Sequence, residues 1–498
     1  MNELISLLPI LIIGLGAVFV MLLGAFTTLS IRKLARITRA IIIIALAITL
    51  PSLFGDQFSY YIYPEIFHNM LISDSFGLLF NMLFLLGALL SIYIGNVYIE
   101  KNKFFTSETF ALILFSLFGM MLLSMATEMI TAFIALEIAS LSIYVLVGLN
   151  RKSHKSSEAV FKYLLLGSFG GSFFLMGTAF IYAQTGTTQL GDIASFISLN
   201  IEKDMTLVIV GGTLVMMTLM FKISAVPFQA WTLDVYDGAS LPVTAYMAST
   251  FKIAIFAIAL RIFLVDFQLI QDIWDQLLMI ITIITLIVGS LLAVIQTNIK
   301  RMLAASSMVH SGYLLIALAS TGISGTSAAP SIIFYLIAYF LSAIGAFGLL
   351  SYVSWDTRRR ATYEDFKGFA HMHPYLALMM TIFMLSFAGF PSTIGFLGKF
   401  YIFTGAIEAG YTVLAILGVL SAFVSIYYYF RLIIVMYFYP SQHDAIQLTS
   451  RVTPIVIGLI AITVLWGGIG TSLISFLPGA NGFIEFAQNS VASLFISH

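Results

Sequence analysis

The chain has 498 residues, 60% of them hydrophobic and only 9% charged, and its 23 basic and 23 acidic side chains leave a formal net charge of zero. That composition excludes the soluble classes and gives no electrostatic reason to expect a polyanionic partner such as nucleic acid. Cysteine is absent. There is thus no disulfide, no cysteine-ligated iron–sulfur cluster and no catalytic thiol, and any redox chemistry is expected on other chains.

Apolar stretches of about 20 residues recur along the sequence, and only helices or closed barrels satisfy the backbone in lipid. The runs are continuous and lack dyad alternation, which excludes a barrel. The expected fold is an all-α polytopic membrane protein. Windows of about 19 residues place fourteen helices. They fall near 4–29, 37–54, 75–99, 108–126, 128–150, 159–184, 205–233, 243–264, 275–297, 301–320, 328–354, 372–406, 410–439 and 452–477. The first run, Leu4 to Leu29, lacks a basic leader and continues too far for a cleaved signal, so it is expected to remain as helix one. The amphipathic piece Gln189 to Ile201 is expected along the interface, and the tail Pro478 to His498 beyond the last span.

Basic residues set the orientation. Arg32, Lys33, Arg36 and Arg39 follow helix one, and later loops on that side carry Lys101, Lys103, Arg151, Lys152, Lys155, Lys300, Arg301, Arg358, Arg359, Arg360, Lys367 and Arg451. The opposite side has almost only Lys203. By the positive-inside rule the first set is cytoplasmic, and both termini face the other compartment. The loop around Asp234 and Asp237 is the one cytoplasmic loop without a basic residue, and it is expected to be partly tucked into the protein.

Helix seven carries Met220-Phe221-Lys222-Ile223-Ser224-Ala225-Val226-Pro227-Phe228, a cation and a helix breaker together at bilayer depth. A central cation costs roughly 2.5–3.5 kcal/mol on insertion scales, so a functional site with a nearby partner is the default reading. Pro227 frees carbonyls that protein or water must satisfy, and a broken helix beside a hydrated cavity is expected. The motif recurs loosely as Ser386-Phe387-Ala388-Gly389-Phe390-Pro391 in helix twelve. The breaks are five helices apart in order, and an odd-numbered repeat inverts its topology. Helices four to eight (108–266) and nine to thirteen (267–440) would then form two inverted units, with 1–107 and 441–498 flanking them.

Six ionisable groups lie at depth: Glu137 in helix five, Lys222 in seven, Lys252 in eight, His310 in ten, Lys399 in twelve and Arg431 in thirteen. One pair taken alone, such as Glu137 with Lys222, has the alternative reading of a structural ion pair that fixes packing, which is the lesser of the two. Three lysines spread over both units point instead to a proton relay. Burial disfavours a lysine's charge and an adjacent carboxylate favours it, so a carboxylate that moves nearer or farther switches the lysine. His310 suits a bridge between the units, although alone it reads equally as a packing residue. Lys399 follows Pro391 by eight residues toward the non-cytoplasmic end and suits an exit site. Arg431 does not lose its proton and is assigned a fixed counter-charge. Glu128, Lys162 and Arg261 lie near span ends and read as snorkelling groups. Gly395-Phe396-Leu397-Gly398-Lys399 has the wrong spacing for a phosphate loop, and His371 and His373 lack further ligands, so no metal site is expected.

Nearly the whole chain resembles the antiporter-like membrane subunits of respiratory complex I, the bacterial NADH-quinone oxidoreductase, and within them the subunit N type. The resemblance is carried by Glu137 in Ala135-Leu136-Glu137-Ile138-Ala139, by Lys222 with Pro227, by Trp231-Thr232-Leu233-Asp234-Val235-Tyr236-Asp237-Gly238, and by Lys300-Arg301-Met302-Leu303-Ala304. It implies fourteen helices with inverted repeats and a pairing of Glu137 with Lys222. Lys252 and His310 would form the central relay, and Lys399 would be the terminal lysine. Gln229 stands where many relatives have histidine, and Ala305 where many have tyrosine. The resemblance implies no cofactor on this chain, with NAD, FMN, iron–sulfur clusters and quinone on other subunits of the complex. It also implies antiporter-like neighbours, membrane lipids and protons as partners, and the bacterial inner membrane as location. The alternative is a subunit of a Mrp-type sodium/proton antiporter.

Overall fold

The computed structural model describes residues 6–54, 63–321, 328–354, 361–441, 450, 452–469 and 479–496. Arg358, Arg359, Arg360 and Arg451 lie outside them, as do the expected end of helix fourteen, residues 470–477, and Pro478. Among the described residues, twelve helices are long and apolar enough to cross a membrane. They are α1 (Leu8–Phe26), α2 (Ile31–Phe54), α3 (Ser75–Ile94), α4 (Ser107–Met125), α5 (Met129–Val147), α6 (His154–Thr185), α8 (Leu241–Asp266), α9 (Gln271–Val294), α10 (Ile299–Ala319), α11 (Ala329–Val353), α13 (Thr412–Phe438) and α14 (Val452–Ile469). Two more are interrupted. In α7, Thr206–Lys222 is followed by a turn and by Thr232–Gly238; in α12, Pro374–Ala388 is followed by Ile394–Glu408. The fourteen expected helices are thus all present, and the seventh and twelfth are the broken ones. Because α12 is the fifth helix after α7, an odd step, the two run through the bundle in opposite senses.

Burial sorts the helices by role. The apolar window of α10 is wholly buried and those of α8 and α11 nearly so, whereas α1, α2, α6, α13 and α14 leave wide apolar faces outward. Lipid is as apolar as leucine, so close helix contact depends on small residues. At the α4–α5 contact, a Cβ on Gly119 would lie 2.6 Å from the Ala139 nitrogen and 2.7 Å from the Ala135 oxygen. Between α6 and α7, one on Gly177 would lie 2.5 Å from the Gly211 oxygen. α8 contains two wider π-type stretches, Met247–Phe251 and Leu260–Asp266, on either side of the turn that holds Lys252. Such stretches mark places where the regular ladder is set aside.

Three elements are peripheral. A hairpin of Tyr63–Ile66 and Leu71–Ser73 precedes α3. Leu190–Asn200 is the amphipathic helix expected near Gln189. The tail is itself a helix, α15 (Ala480–Ile496), which folds back onto α3 and α11. There the Phe76 backbone N–H donates to Ser493 Oγ at 3.0 Å.

Candidate functional site

The first half of α7 ends at Lys222, five residues before Pro227, and the chain then turns through Ser224 in the left-handed region at φ 65°. Groups released by the break are met by protein. Trp231 Nε1 donates to the Phe221 oxygen at 3.3 Å, Ser311 Oγ to the Ile223 oxygen at 2.9 Å, and the Val226 N–H to Thr285 Oγ1 at 2.9 Å. Lys222 itself is 2% exposed. Its Nζ donates to Ser140 Oγ at 2.8 Å and Tyr144 OH at 2.9 Å, and stands 3.7 Å from Glu137 Oε1. All three partners come from α5, where Ser140 is three residues after Glu137 and Tyr144 four after Ser140, the spacings that put side chains on one helix face. Glu137 Oε1 is buried without a hydrogen bond of its own. It fits because α6 carries Gly171 there; a Cβ at that position would lie 2.9 Å from it.

The centre of the bundle joins this break to the next two groups. Lys252 Nζ donates to the Ser307 oxygen at 2.6 Å, to Ser307 Oγ at 2.7 Å and to Ser311 Oγ at 2.9 Å. Ser311 therefore connects Lys252 with the opened carbonyl of Ile223 through one hydroxyl. His310, next along α10, hydrogen-bonds Tyr335 OH at 2.5 Å through Nδ1 and Tyr429 OH at 3.0 Å through Nε2. The ring of Tyr339 lies between Lys252 and His310, 5.5 Å from Lys252 Nζ and 5.0 Å from the His310 ring.

At the break in α12, Gly389 adopts φ 83°, a conformation that L side chains rarely take. Lys399 reaches back from the second half-helix and its Nζ donates to the Phe387 and Ala388 oxygens at 2.7 and 3.1 Å. A cation is thus seated on the carbonyl end of Pro374–Ala388, where the helix dipole favours it. Lys399 is 4% exposed and belongs to the break itself, not to the far end of the helix as its spacing from Pro391 suggested. Phe387 stacks on Tyr429 at 5.5 Å, which links Lys399 to His310. The glycines of the loop-like Gly395 to Lys399 stretch are spacers: a Cβ on Gly395 would lie 2.1 Å from the Ser386 oxygen.

Four sequence assignments change. Arg431 does not face this line of groups; its Nη1 reaches the Gln296 oxygen at 3.3 Å and its guanidinium covers Tyr363 at 4.3 Å, which ties it to the turn between α9 and α10. Glu128 is no snorkelling group but the N-cap of α5, accepting from the Thr131 N–H at 3.1 Å and from Thr188 Oγ1 at 2.8 Å. Lys162 pairs with Asp234 at 2.7 Å. Arg261 is fully buried and holds both carboxylate oxygens of Asp74, at 2.7 and 2.9 Å. The hydroxyl partners Ser140, Tyr144, Ser307, Ser311, Tyr335 and Tyr429 had no signal of their own in the sequence.

The Asp234 loop is tucked in as expected, by basic residues from α6 and α10. Lys155 meets Asp237 at 2.8 Å, Arg301 meets Asp234 at 3.3 Å, and Lys300 Nζ donates to the Ala239 and Asp237 oxygens at 2.5 and 3.1 Å. Partial burial alone would raise Asp234, but Lys162 and Arg301 outweigh it and hold the carboxyl below its usual range. A carboxyl depressed in the folded state stabilises above its unfolded pKa, and that stabilisation is lost as pH falls through the lower, folded value. Hydrogen-exchange protection of residues 232–239, measured against the intrinsic rate at each pH, should therefore hold at neutral pH and fall only below the ordinary aspartate range. Because both partners are partly exposed, Asp234→Asn is expected to cost no more than about 1 kcal/mol there.

Residues 126–425 match the family described as NADH:quinone oxidoreductase/Mrp antiporter, TM. The chain is 42% identical over 427 residues to NADH-quinone oxidoreductase subunit N of Trichlorobacter lovleyi, covering 85% of each. It is 37% identical over 451 residues to NADH-quinone oxidoreductase subunit N 1 of Solibacter usitatus, covering 91% of this chain and 90% of that one. A chain of respiratory complex I from Thermus thermophilus superposes with a TM-score of 0.78 at 29% identity, over 93% of this chain and 98% of that one. A chain of the Mrp complex from Dietzia sp. shares the fold, with a TM-score of 0.82 at 19% identity over 99% and 97%. Identity over most of the length, together with two broken helices that each place a lysine at the break, establishes that this chain belongs to the NADH-quinone oxidoreductase subunit N family of antiporter-like membrane subunits.

Proposed function

We propose that this chain is a proton-translocating membrane subunit of an NADH-quinone oxidoreductase. Quinone reduction in neighbouring subunits drives protons along Glu137, Lys222, Lys252, His310 and Lys399. The observation that carries the reading is the series of buried polar and ring contacts at the two breaks: Ser311 joins Lys252 to the carbonyl of Ile223, the residue after Lys222, and Tyr339, His310, Tyr429 and Phe387 lead from Lys252 to Lys399. Each lysine donates to neutral hydroxyl or backbone carbonyl oxygens at 2.6–3.1 Å, contacts that suit a charge that comes and goes. Glu137 is the movable element: two unit charges about 4 Å apart interact by about 4 kcal/mol at an effective dielectric of 20. That equals about three pKa units, enough to load or unload Lys222 as the carboxylate shifts.

On this reading the chain carries no redox group, and NAD, FMN, iron–sulfur clusters and quinone are held by partner subunits. Units 108–266 and 267–440 each supply one broken helix. The location is the bacterial inner membrane, with the basic loops cytoplasmic and both termini opposite. The test is gentle extraction from native membranes. Co-migration with iron–sulfur and quinone-binding subunits, with quinone reductase activity in the same band, is expected. Co-migration with antiporter-like subunits alone, with sodium-dependent proton exchange in vesicles lacking quinone, would replace the reading with a Mrp-type exchanger.

Gly171 supplies a milder check. Gly171→Val should press on Glu137 and move it from Lys222, lowering proton uptake per quinone reduced while the complex still assembles. Dye quenching in inverted vesicles, normalised to quinone reduction, measures it. An unchanged ratio would mean that the position of Glu137 does not control Lys222.

A further inference from the structure

A second group of buried charges lies outside that axis, where α3 begins and α4 and α8 end. Asp74 caps α3, accepting from the Gly77 N–H at 2.7 Å. Arg261 Nη2 donates to Asp74 Oδ1 and Oδ2 at 2.7 and 2.9 Å, and its Nε donates to the Ser124 oxygen at 2.8 Å. The guanidinium also covers Phe76 at 5.0 Å. Its Nη1 is buried and meets no acceptor among the described residues. Asp266 ends the same π-type stretch of α8, is 1% exposed, and neither of its carboxylate oxygens meets a donor among the described residues. The i to i+5 ladder of that stretch, seen in the Phe267 N–H on the Ile262 oxygen at 3.1 Å, sets residues five apart, such as 261 and 266, on one side of the helix.

The charges do not balance if both carboxylates are ionised. Arg261 stays protonated, and Asp74, which accepts from Gly77 N–H and on both oxygens from Arg261, already balances its charge. A second buried carboxylate beside that neutral pair would leave a net negative charge in an apolar interior, the situation that buried ionic groups avoid. Other charged groups do not fill the role. Arg261 is the charged group acting on Asp266. Asp192 on Leu190–Asn200 and Glu485 on α15, both on elements packed against this stretch, are exposed and acidic. Lys252 lies fourteen residues back along α8, about 21 Å of helix at 1.5 Å per residue.

We propose that Asp266 is a proton-binding site of the first half, with Arg261 as its fixed counter-charge. In the loaded state the proton is bonded to one Asp266 oxygen and the cluster is neutral. On release, that O–H bond breaks, the proton leaves to water at this end of α8, and Arg261 Nη1 turns toward the new carboxylate. On reloading, an Asp266 oxygen takes up a proton from water again, the O–H bond re-forms and Nη1 turns back. The inference rests on the proton-moving function proposed above and adds to it a release group for the half that lacks Lys399.

Infrared difference spectroscopy of the intact complex, with and without quinone turnover and in H2O and D2O, tests it. The expected result is a carboxylic-acid C=O band that shifts in D2O and is missing from Asp266→Asn, with fewer protons moved per quinone reduced by that variant. If Asp266→Asn does not assemble, Asp266→Glu should displace the band instead of removing it. A wild-type band that neither variant changes overturns the assignment. So does loss of the band with an unchanged proton ratio, which would make Asp266 a structural acid. The band is read independently of pumping, so normal pumping by Lys222→Ala, which would sink the axis, is a separate outcome.

Discussion

Lys222→Ala is expected to leave the complex assembled and to cut proton movement per quinone reduced by about tenfold or more, the equivalent of roughly 1.4 kcal/mol or more at the transfer step. The substitution removes the only cation within reach of Glu137 in the described structure, at 3.7 Å, and leaves the hydroxyls of Ser140 and Tyr144 without their donor. Those hydroxyls turn to other partners at little cost. Glu137 keeps 19% side-chain exposure, so its orphaned charge is tolerable for folding. The loss is therefore functional: without an ammonium at the helix break there is no group whose protonation the carboxylate can control. Vesicle proton uptake and quinone reduction measured on the same preparation give the ratio. Equal ratios for Lys222→Ala and wild type would end the relay assignment, whereas loss of the whole complex would make the pair structural. Lys222→Arg sharpens the contrast, because it restores charge but not the ability to release a proton.

What could be read from the sequence followed the cost of polarity in lipid. Lys222, Lys252, His310 and Lys399 stood out because a cation inside an apolar run demands a reason, and Pro227 and Pro391 marked the breaks because a proline cannot complete the ladder. Ser311 and Tyr429 did not stand out. Hydroxyls are common in spans and satisfy themselves on their own helix, as Ser311 also does on the Ser307 oxygen at 3.2 Å. Their use as links depends on which helices pack together. Arg261 looked like a snorkelling end group because its partner, Asp74, is 187 residues away in sequence and only the packing of α3 against α8 buries both. Glu128 carries a partial signal: it is not a preferred N-cap type, but an acid directly ahead of an apolar run lies at the positive end of the helix that follows. The tail follows the last span in the sequence, and the docking of α15 on α3 and α11 depends on tertiary shape.

Arg261→Met should have the opposite signature from Lys222→Ala, with loss of the subunit and not of coupling alone. Methionine fills much of the volume, but it leaves Asp74 as an unpaired carboxylate at 3% exposure and the Ser124 carbonyl without its donor. Removing one partner of a buried ion pair costs about 3–5 kcal/mol. That is a large share of a typical folding free energy of about 5–15 kcal/mol, so little of the chain should reach the assembled complex. Quantifying the subunit in native complexes from variant membranes measures this directly. The companion variant Asp74→Asn with Arg261→Met removes both charges, and replacing a whole buried pair costs far less than halving it. Assembly should then recover in part, by an amount that single variants cannot produce additively. A double variant no better than Arg261→Met alone would show that the guanidinium acts mainly through Ser124 and the packing against Phe76, and that the charge of Asp74 is incidental to the fold.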